Sequence, residues 1–114
     1  MTRFLATGTH LLIDLHGASR LDDADHVRQA LVDAAAACGA TLLDVKLHSF
    51  GAQSGVTGVA LLAESHISIH TWPEQGFAAL DVFMCGNCDP RGALPVLRAA
   101  FSPAEMKVSE IRRG

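Results

Sequence analysis

The segment Glu64-Ser65-His66-Ile67-Ser68-Ile69-His70-Thr71-Trp72-Pro73-Glu74 alternates between aliphatic and polar side chains. Successive side chains of a strand point to opposite faces, so the two isoleucines share one face and the two histidines share the other with Ser68. The residues from Trp72 to Gly76 have the composition of a turn. We therefore predict a strand that begins at Ser65 and has one buried and one polar face.

The same alternation recurs along the rest of the chain. It predicts strands at 9–17, 41–50, 56–63, 65–71, 77–85 and 105–112. Asp22 can cap a helix that keeps its apolar residues at helical spacing until Gly39. Asp89 and Pro90 can start a second helix, in which Pro95 removes a bond worth about 3 kcal/mol. This order predicts an α+β fold, a two-layer sandwich whose antiparallel sheet carries two helices on one face.

Composition limits the class of protein. A chain of 114 residues with 49% hydrophobic and 18% charged residues predicts one domain, 1–114, with a thinly charged surface that favours a homo-oligomer. The net charge of -3, without a lysine or arginine run, argues against nucleic acid and membrane partners. Without a signal peptide or membrane span, we expect a cytoplasmic location. Cys38, Cys85 and Cys88 are odd in number and argue against a disulfide framework.

The polar sides of the predicted strands gather titratable groups on one face. If the aliphatic sides contact the helices, the opposite face carries His10, His16, His48, His66, His70, Asp81 and Cys85. Such groups on one sheet surface indicate a site or a wet interface. For each histidine taken alone, a structural role is the more common one.

Ser65 is a candidate self-cleavage site, because a serine hydroxyl can attack the preceding carbonyl and turn the amide into an ester. β-Elimination then leaves a pyruvoyl ketone at the new N-terminus. Strain at the break between strands, a hydroxyl from Thr57 and a base such as His70 would support this chemistry. The ketone would replace pyridoxal phosphate, for which only Lys46 and Lys107 could serve. An ordinary turn serine that begins a strand is the alternative interpretation.

The segment from Cys85 to Cys88 permits several interpretations. Half of a zinc site would have to recruit His48 or His70, and no metal site is predicted. A redox dithiol would need both cysteines at a helix N-terminus, whereas the predicted helix begins after them. Cys85, at a strand end on the histidine-rich face, is also suited to an acid–base or nucleophilic role.

The chain from about Gly8 to Gly114 resembles the bacterial S-adenosylmethionine decarboxylase proenzymes, the short pyruvoyl-dependent type. The residues that carry the resemblance are 63–74, the aspartate-bearing strand that follows, and Cys85 with Gly86. It implies conversion of S-adenosylmethionine to decarboxylated S-adenosylmethionine and carbon dioxide for spermidine biosynthesis. It also implies cleavage between Glu64 and Ser65, which gives a β chain of 1–64 and an α chain of 65–114.

The resemblance implies roles for the catalytic candidates. Ser65 becomes the covalent pyruvoyl cofactor, which forms a Schiff base with the substrate. His70 transfers a proton during processing, and Thr57 supports the intermediate where relatives usually have serine. Cys85 reprotonates the α carbon after carbon dioxide leaves.

The resemblance also implies a substrate site and a partner. Phe50 stacks on adenine, Glu74 binds the ribose hydroxyls, and Trp72 is a further substrate-binding candidate. Two copies pair as a homodimer, or as a heterotetramer of two α and two β chains, with the sites at the interface.

Some positions depart from the family pattern near the predicted pocket. Besides Thr57, Thr9 stands where relatives have arginine, and Gln75 where tyrosine is frequent. A pyruvoyl-dependent decarboxylase of ornithine or arginine therefore remains an alternative, as does an unprocessed, non-catalytic metal-binding or dimerisation protein.

Overall fold

The computed structural model describes residues 7–114. Its strands are β1 (Gly8–His16), β2 (Leu42–Ser49), β3 (Val56–Leu62), β4 (Ser65–Trp72), β5 (Phe77–Cys85) and β6 (Glu105–Arg113). Its helices are α1 (Ala24–Ala37) and α2 (Ala93–Phe101), and 3-10 turns occupy Pro73–Gln75 and Pro90–Gly92. No helix within residues 7–114 is long and apolar enough to cross a membrane. The predicted α+β class is confirmed.

The six strands form one antiparallel sheet in the order β2-β3-β4-β5-β1-β6. Strands β4 and β5 are therefore central, and β2 and β6 are the edges. The aliphatic side of the sheet packs against the helices, and its side chains are almost fully buried: Leu11, Ile13, Leu15, Ala60, Ile67, Ile69, Leu80, Val82 and Met84. Each buried leucine or isoleucine contributes about 1.5–3 kcal/mol, so this layer fixes how β4 and β5 lie.

Helix α1 begins one residue later than its sequence predicts. Asp23, not Asp22, is the N-cap, because its carboxylate accepts a hydrogen bond of 3.1 Å from the His26 backbone N–H. That hydrogen bond and the Arg20 side chain, which lies 3.1 Å away, lower the pKa of Asp23. The predicted apolar stripe from Val27 to Cys38 is buried.

Helix α2 begins later than the sequence predicts, at Ala93, after the 3-10 turn that Asp89 caps through the Arg91 N–H at 3.0 Å. Pro95 is consequently the third residue of the helix. The first four N–H groups of a helix have no partner inside it, so the missing N–H of Pro95 costs nothing there. The helix therefore runs to Phe101 as predicted.

The side of the sheet away from the helices is uncovered by the described residues, and we call it the open face. Strand register places on it His10, His16, His48, Thr57, His66, Ser68, His70, Trp72, Phe77, Asp81, Phe83 and Cys85. The five histidines predicted to share a face do so. The sixth, His26, lies in α1 and forms a 2.6 Å hydrogen bond with the Ala100 carbonyl oxygen of α2.

Candidate active site

Ser65 begins β4 immediately after the tight turn that joins it to β3. Leu62 and Ser65 are paired across this hairpin, so Ala63 and Glu64 form the turn. Glu64 has a φ of 63°, in the left-handed region. That conformation costs a residue with a Cβ about 1 kcal/mol. The peptide bond between Glu64 and Ser65 therefore follows a strained residue, at the break where the sequence predicts strain.

Cys85 forms hydrogen bonds with both groups that would react if Ser65 attacked the preceding carbonyl, namely the Ser65 hydroxyl and the Glu64 carbonyl. Its backbone N–H donates a 3.2 Å hydrogen bond to Ser65 Oγ, and its thiol donates one of 3.0 Å to the Glu64 carbonyl oxygen. The N–H orients the serine oxygen and leaves the hydroxyl hydrogen free to donate. The thiol withdraws electron density from the carbonyl carbon. We call Glu64, Ser65 and Cys85 the cleavage cluster.

A second group of polar side chains lies further along β3 and β4. Thr57 and His70 are cross-strand partners, and Thr57 Oγ1 lies 3.2 Å from His70 Nδ1. If Nδ1 carries the proton and donates it to Thr57, His70 Nε2 is left as a base. The Trp72 ring lies 6.3 Å from the His70 ring and stacks on Phe77 at 5.4 Å.

The two remaining substrate-binding candidates lie at the same end of the sheet as Thr57. Phe50 directly follows β2, is 64% exposed, and places its ring 4.6 Å from the ring of His48, the cross-strand partner of Thr57. Glu74 is exposed in the 3-10 turn that directly follows β4. We call Phe50, Thr57, His70, Trp72 and Glu74 the histidine cluster.

The two clusters are far apart within one chain. Ser65 and His70 lie on one continuous strand, so five residues at about 3.3 Å each separate them by about 17 Å. The strand does not fold back, and the chain alone does not bring His70 to Ser65. The sequence therefore names the candidates, and the structure divides them between the two ends of β4.

A cavity of about 740 Å³ opens beside the cleavage cluster. Glu64, Ser65, His66, Phe83 and Arg113 contribute to its lining. The His66 and Phe83 rings stack at 5.7 Å and give it an aromatic wall. The sequence candidates omit Phe83 and Arg113, because only the pairing of β6 with β1 and of β1 with β5 brings them there.

Asp81 lies on the open face between the two clusters. It accepts a 3.0 Å hydrogen bond from Ser68 Oγ, and its other carboxylate oxygen lies 3.1 Å from His10 Nε2. The His10 ring meets Phe83 edge to face at 5.9 Å. These contacts fix the middle of the open face and connect it to the cavity wall.

The other two cysteines contact different parts of the chain. Cys88 donates a 3.3 Å hydrogen bond to the Gly39 carbonyl oxygen, after α1, whereas the Cys85 thiol donates to the Glu64 carbonyl oxygen. The Cys38 thiol is buried, and its burial raises its pKa from 9.0 to about 11. All three cysteines are free.

A family model described as S-adenosylmethionine decarboxylase matches residues 9–114. The chain belongs to this family. The family predicted from residues 63–74 and from Cys85 with Gly86 is thereby confirmed.

Curated relatives and a solved structure agree with the family. The chain is 46% identical over 108 residues to the S-adenosylmethionine decarboxylase proenzyme of Thermomicrobium roseum, a match that covers 94% of this chain and 93% of the relative. It is 52% identical over 110 residues to the proenzyme of Methanococcus vannielii, covering 94% and 89%. The crystal structure of the Aquifex aeolicus adenosylmethionine decarboxylase has a TM-score of 0.85, 34% identity, and coverage of 97% and 93%.

Proposed function

We propose that this chain is a self-processing, pyruvoyl-dependent decarboxylase that converts S-adenosylmethionine to decarboxylated S-adenosylmethionine and carbon dioxide for spermidine biosynthesis. One observation supports this beyond family membership. Cys85 holds the Ser65 hydroxyl and the Glu64 carbonyl at a strained turn. An ordinary turn serine has no need of such an arrangement.

In the proposed processing reaction, Ser65 Oγ attacks the Glu64 carbonyl carbon while the Cys85 thiol hydrogen-bonds the carbonyl oxygen. The C–N bond breaks and an ester forms. A base then removes the Ser65 α proton, and the ester C–O bond breaks by β-elimination, which leaves Glu64 with a carboxylate. Water hydrolyses the remaining enamine-derived imine to the ketone and releases ammonia. The products are a β chain of 1–64 and an α chain of 65–114.

We propose that a second copy of the chain completes each site. The proton-transfer candidates Thr57 and His70 lie about 17 Å from Ser65, at the other end of the same strand and on a face that no described element covers. Two open faces packed about a twofold axis near Ser68 would place the histidine cluster of each copy over the cleavage cluster of the other. The enzyme would be a homodimer with two α and two β chains after cleavage.

In this arrangement Thr57 and His70 act together across the interface. The Thr57 hydroxyl donates to the oxyanion that forms at Glu64, and its oxygen accepts the His70 Nδ1 proton. His70 Nε2 is thereby free to remove the Ser65 α proton. The 3.2 Å contact between Thr57 and His70 supports this division of roles.

The chain's own residues also fit the decarboxylation. The pyruvoyl group supplies a ketone that captures the substrate amine and accepts the electrons of the departing carboxyl group. Cys85 carries a thiol proton beside this position and returns it to the substrate α carbon. The cavity of about 740 Å³ can hold the methionine part, while the second copy's Phe50, Trp72 and Glu74 contact the adenosine part.

The experiment that tests this function is mass spectrometry of the purified chain, followed by a product assay. We expect two fragments that meet between Glu64 and Ser65, and a carbonyl on the second fragment that hydrazine traps. Incubation with S-adenosylmethionine should release carbon dioxide, whereas ornithine and arginine should not. A chain that stays whole, without a trappable carbonyl, would remove the assignment.

We place the enzyme in the cytoplasm. Its three free cysteines fit a reducing compartment. Its net charge of -3 argues against nucleic acid as a partner.

A further inference from the structure

Arg113 lies on the open face in line with the cleavage cluster. It pairs with Gly8 of β1, and Gly8 pairs with Cys85 of β5, so all three share one row across the sheet. Cross-strand partners project to the same face, and two interstrand spacings separate the backbones of Arg113 and Cys85 by about 10 Å. Gly8 adds no side chain between them, and a Cβ there would collide with the Phe83 ring.

The cavity beside Ser65 brings Arg113 and Glu64 together. Both residues line it, and among the side chains of the described lining residues theirs are the one permanent cation and the one carboxylate. The salt bridges within residues 7–114 involve other residues. The Arg113 guanidinium is therefore available at the rim of the cavity in the uncleaved chain.

We propose that Arg113 binds the α-carboxylate that self-cleavage creates at Glu64. The inference rests on the proposed function. When the ester C–O bond breaks, both oxygens stay on Glu64, and the electron pair of that bond becomes a negative charge that the uncleaved peptide does not carry. Glu64 and Arg113 are both exposed at this open cavity, so a new carboxylate there gains modestly from a nearby cation. A guanidinium suits it, because two parallel N–H groups match the two oxygens.

Arg113 is on this view a positioning residue. It holds the cut end of the β chain at the rim, so that Glu64 does not cover the new ketone at residue 65. The substrate carboxylate is a less suitable partner for Arg113. That group must leave as neutral carbon dioxide, and a guanidinium would stabilise it in the ground state and raise the barrier.

The chain offers a matched control for this inference. Arg112 has the same charge on the same strand, but it pairs with Thr9, so its side chain projects to the opposite face. We would compare Arg113→Gln with Arg112→Gln in two backgrounds, the cleaved wild type and the uncleavable Ser65→Ala variant. We expect Arg113→Gln to lower the Tm of the cleaved protein by about 4 °C and to leave the uncleaved protein unchanged. Arg112→Gln should change neither, and Arg113→Lys should retain part of the effect.

A second measurement follows the cut end directly. Carboxypeptidase treatment of the cleaved protein, read by mass spectrometry, should remove Glu64 about fivefold faster from Arg113→Gln than from the wild type. Equal Tm changes in both backgrounds, or unchanged trimming, would overturn the inference. A folded Arg113→Gln chain that does not cleave would also overturn it, since Arg113 would then act before the bond breaks. An uncleaved wild type would instead remove the proposed function itself, and this inference with it.

Discussion

Two atoms of Cys85 contact the two groups that must react at Ser65, and the clearest predictions concern these side chains. Ser65→Ala should remain a single chain with no activity, because no hydroxyl is left to attack Glu64. Gel electrophoresis and a carbon dioxide assay measure both effects. Ser68→Ala is the control, since Ser68 lies on the same strand and bonds Asp81 instead. It should cleave, and two fragments from Ser65→Ala would contradict the assignment.

Cys85→Ala should separate the processing reaction from the decarboxylation. It still cleaves, but about fivefold more slowly, because the Glu64 carbonyl loses one hydrogen bond. Turnover should fall roughly 100-fold or more, with misprotonated product, because the acid that returns the proton is missing. A cleavage time course and product analysis check the two effects. The control, Cys88→Ala, should behave like the wild type in both, and normal turnover by Cys85→Ala would move the acid role to another residue.

The hairpin between β3 and β4 should influence how fast the chain cuts itself. Glu64→Gly removes the cost of a left-handed residue with a Cβ, about 1 kcal/mol, and should slow cleavage about fivefold because less strain is released. Glu64→Gln keeps the Cβ and should cleave at the wild-type rate. Rates come from timed gel samples of refolded chain, and a glycine variant as fast as the wild type would contradict the role of strain.

Cys38, the C-cap of α1, should make the free energy of unfolding depend on pH above about 9. The pKa of the Cys38 thiol is raised from 9.0 to about 11 by burial, so the folded state favours the neutral thiol. The stabilisation of the folded state that this raised pKa provides is complete below pH 9 and is lost as the pH rises toward 11. Urea unfolding of the Ser65→Ala chain across this range should show a steeper decline than that of the same chain with Cys38→Ala. Parallel curves for the two chains would contradict the prediction.

The strands and helices were predictable because their signals are local. Alternation in the segment around Ile67 and Ile69 specifies a two-faced strand, and the apolar stripe of α1 specifies a helix. The errors lie at element ends, where neighbouring residues compete for one role. Asp22 and Asp23 are equally good caps by type, and in the structure it is Asp23 that accepts the His26 N–H and pairs with Arg20. The sequence predicts that Pro95 weakens the interior of a helix, but the preceding 3-10 turn delays the start of α2 and puts Pro95 in its first turn.

The distance between the cleavage cluster and the histidine cluster is a property of the whole molecule, and no local sequence pattern predicts it. The motif places Ser65 and His70 five residues apart, and only an extended β4 turns that spacing into about 17 Å. Arg113 is far from Ser65 in sequence and reaches its cavity through the register of β6 and β1. The sequence thus names the candidate side chains, whereas their separation, on which the proposed pairing of two copies depends, becomes visible only in the folded sheet.

The proposed exchange of residues between copies can be tested by complementation. Ser65→Ala and His70→Ala should each remain uncut when expressed alone. Coexpressed in equal amounts, they should form mixed dimers in which the intact His70 of one copy acts on the intact Ser65 of the other. About half of the His70→Ala chains should then be cut, and none of the Ser65→Ala chains. Mass tags on the two chains identify which one breaks, and an uncut mixture would contradict the second-copy arrangement.

Because β4 is extended, His70 cannot reach the Glu64–Ser65 bond of its own chain. Under the proposed pairing, maturation therefore depends on protein concentration. Newly synthesised chains stay uncleaved at low concentration, because each must first dimerise with another copy. Activation then follows bimolecular kinetics. The reactive ketone forms only in a dimer, in which the complete active site is already assembled.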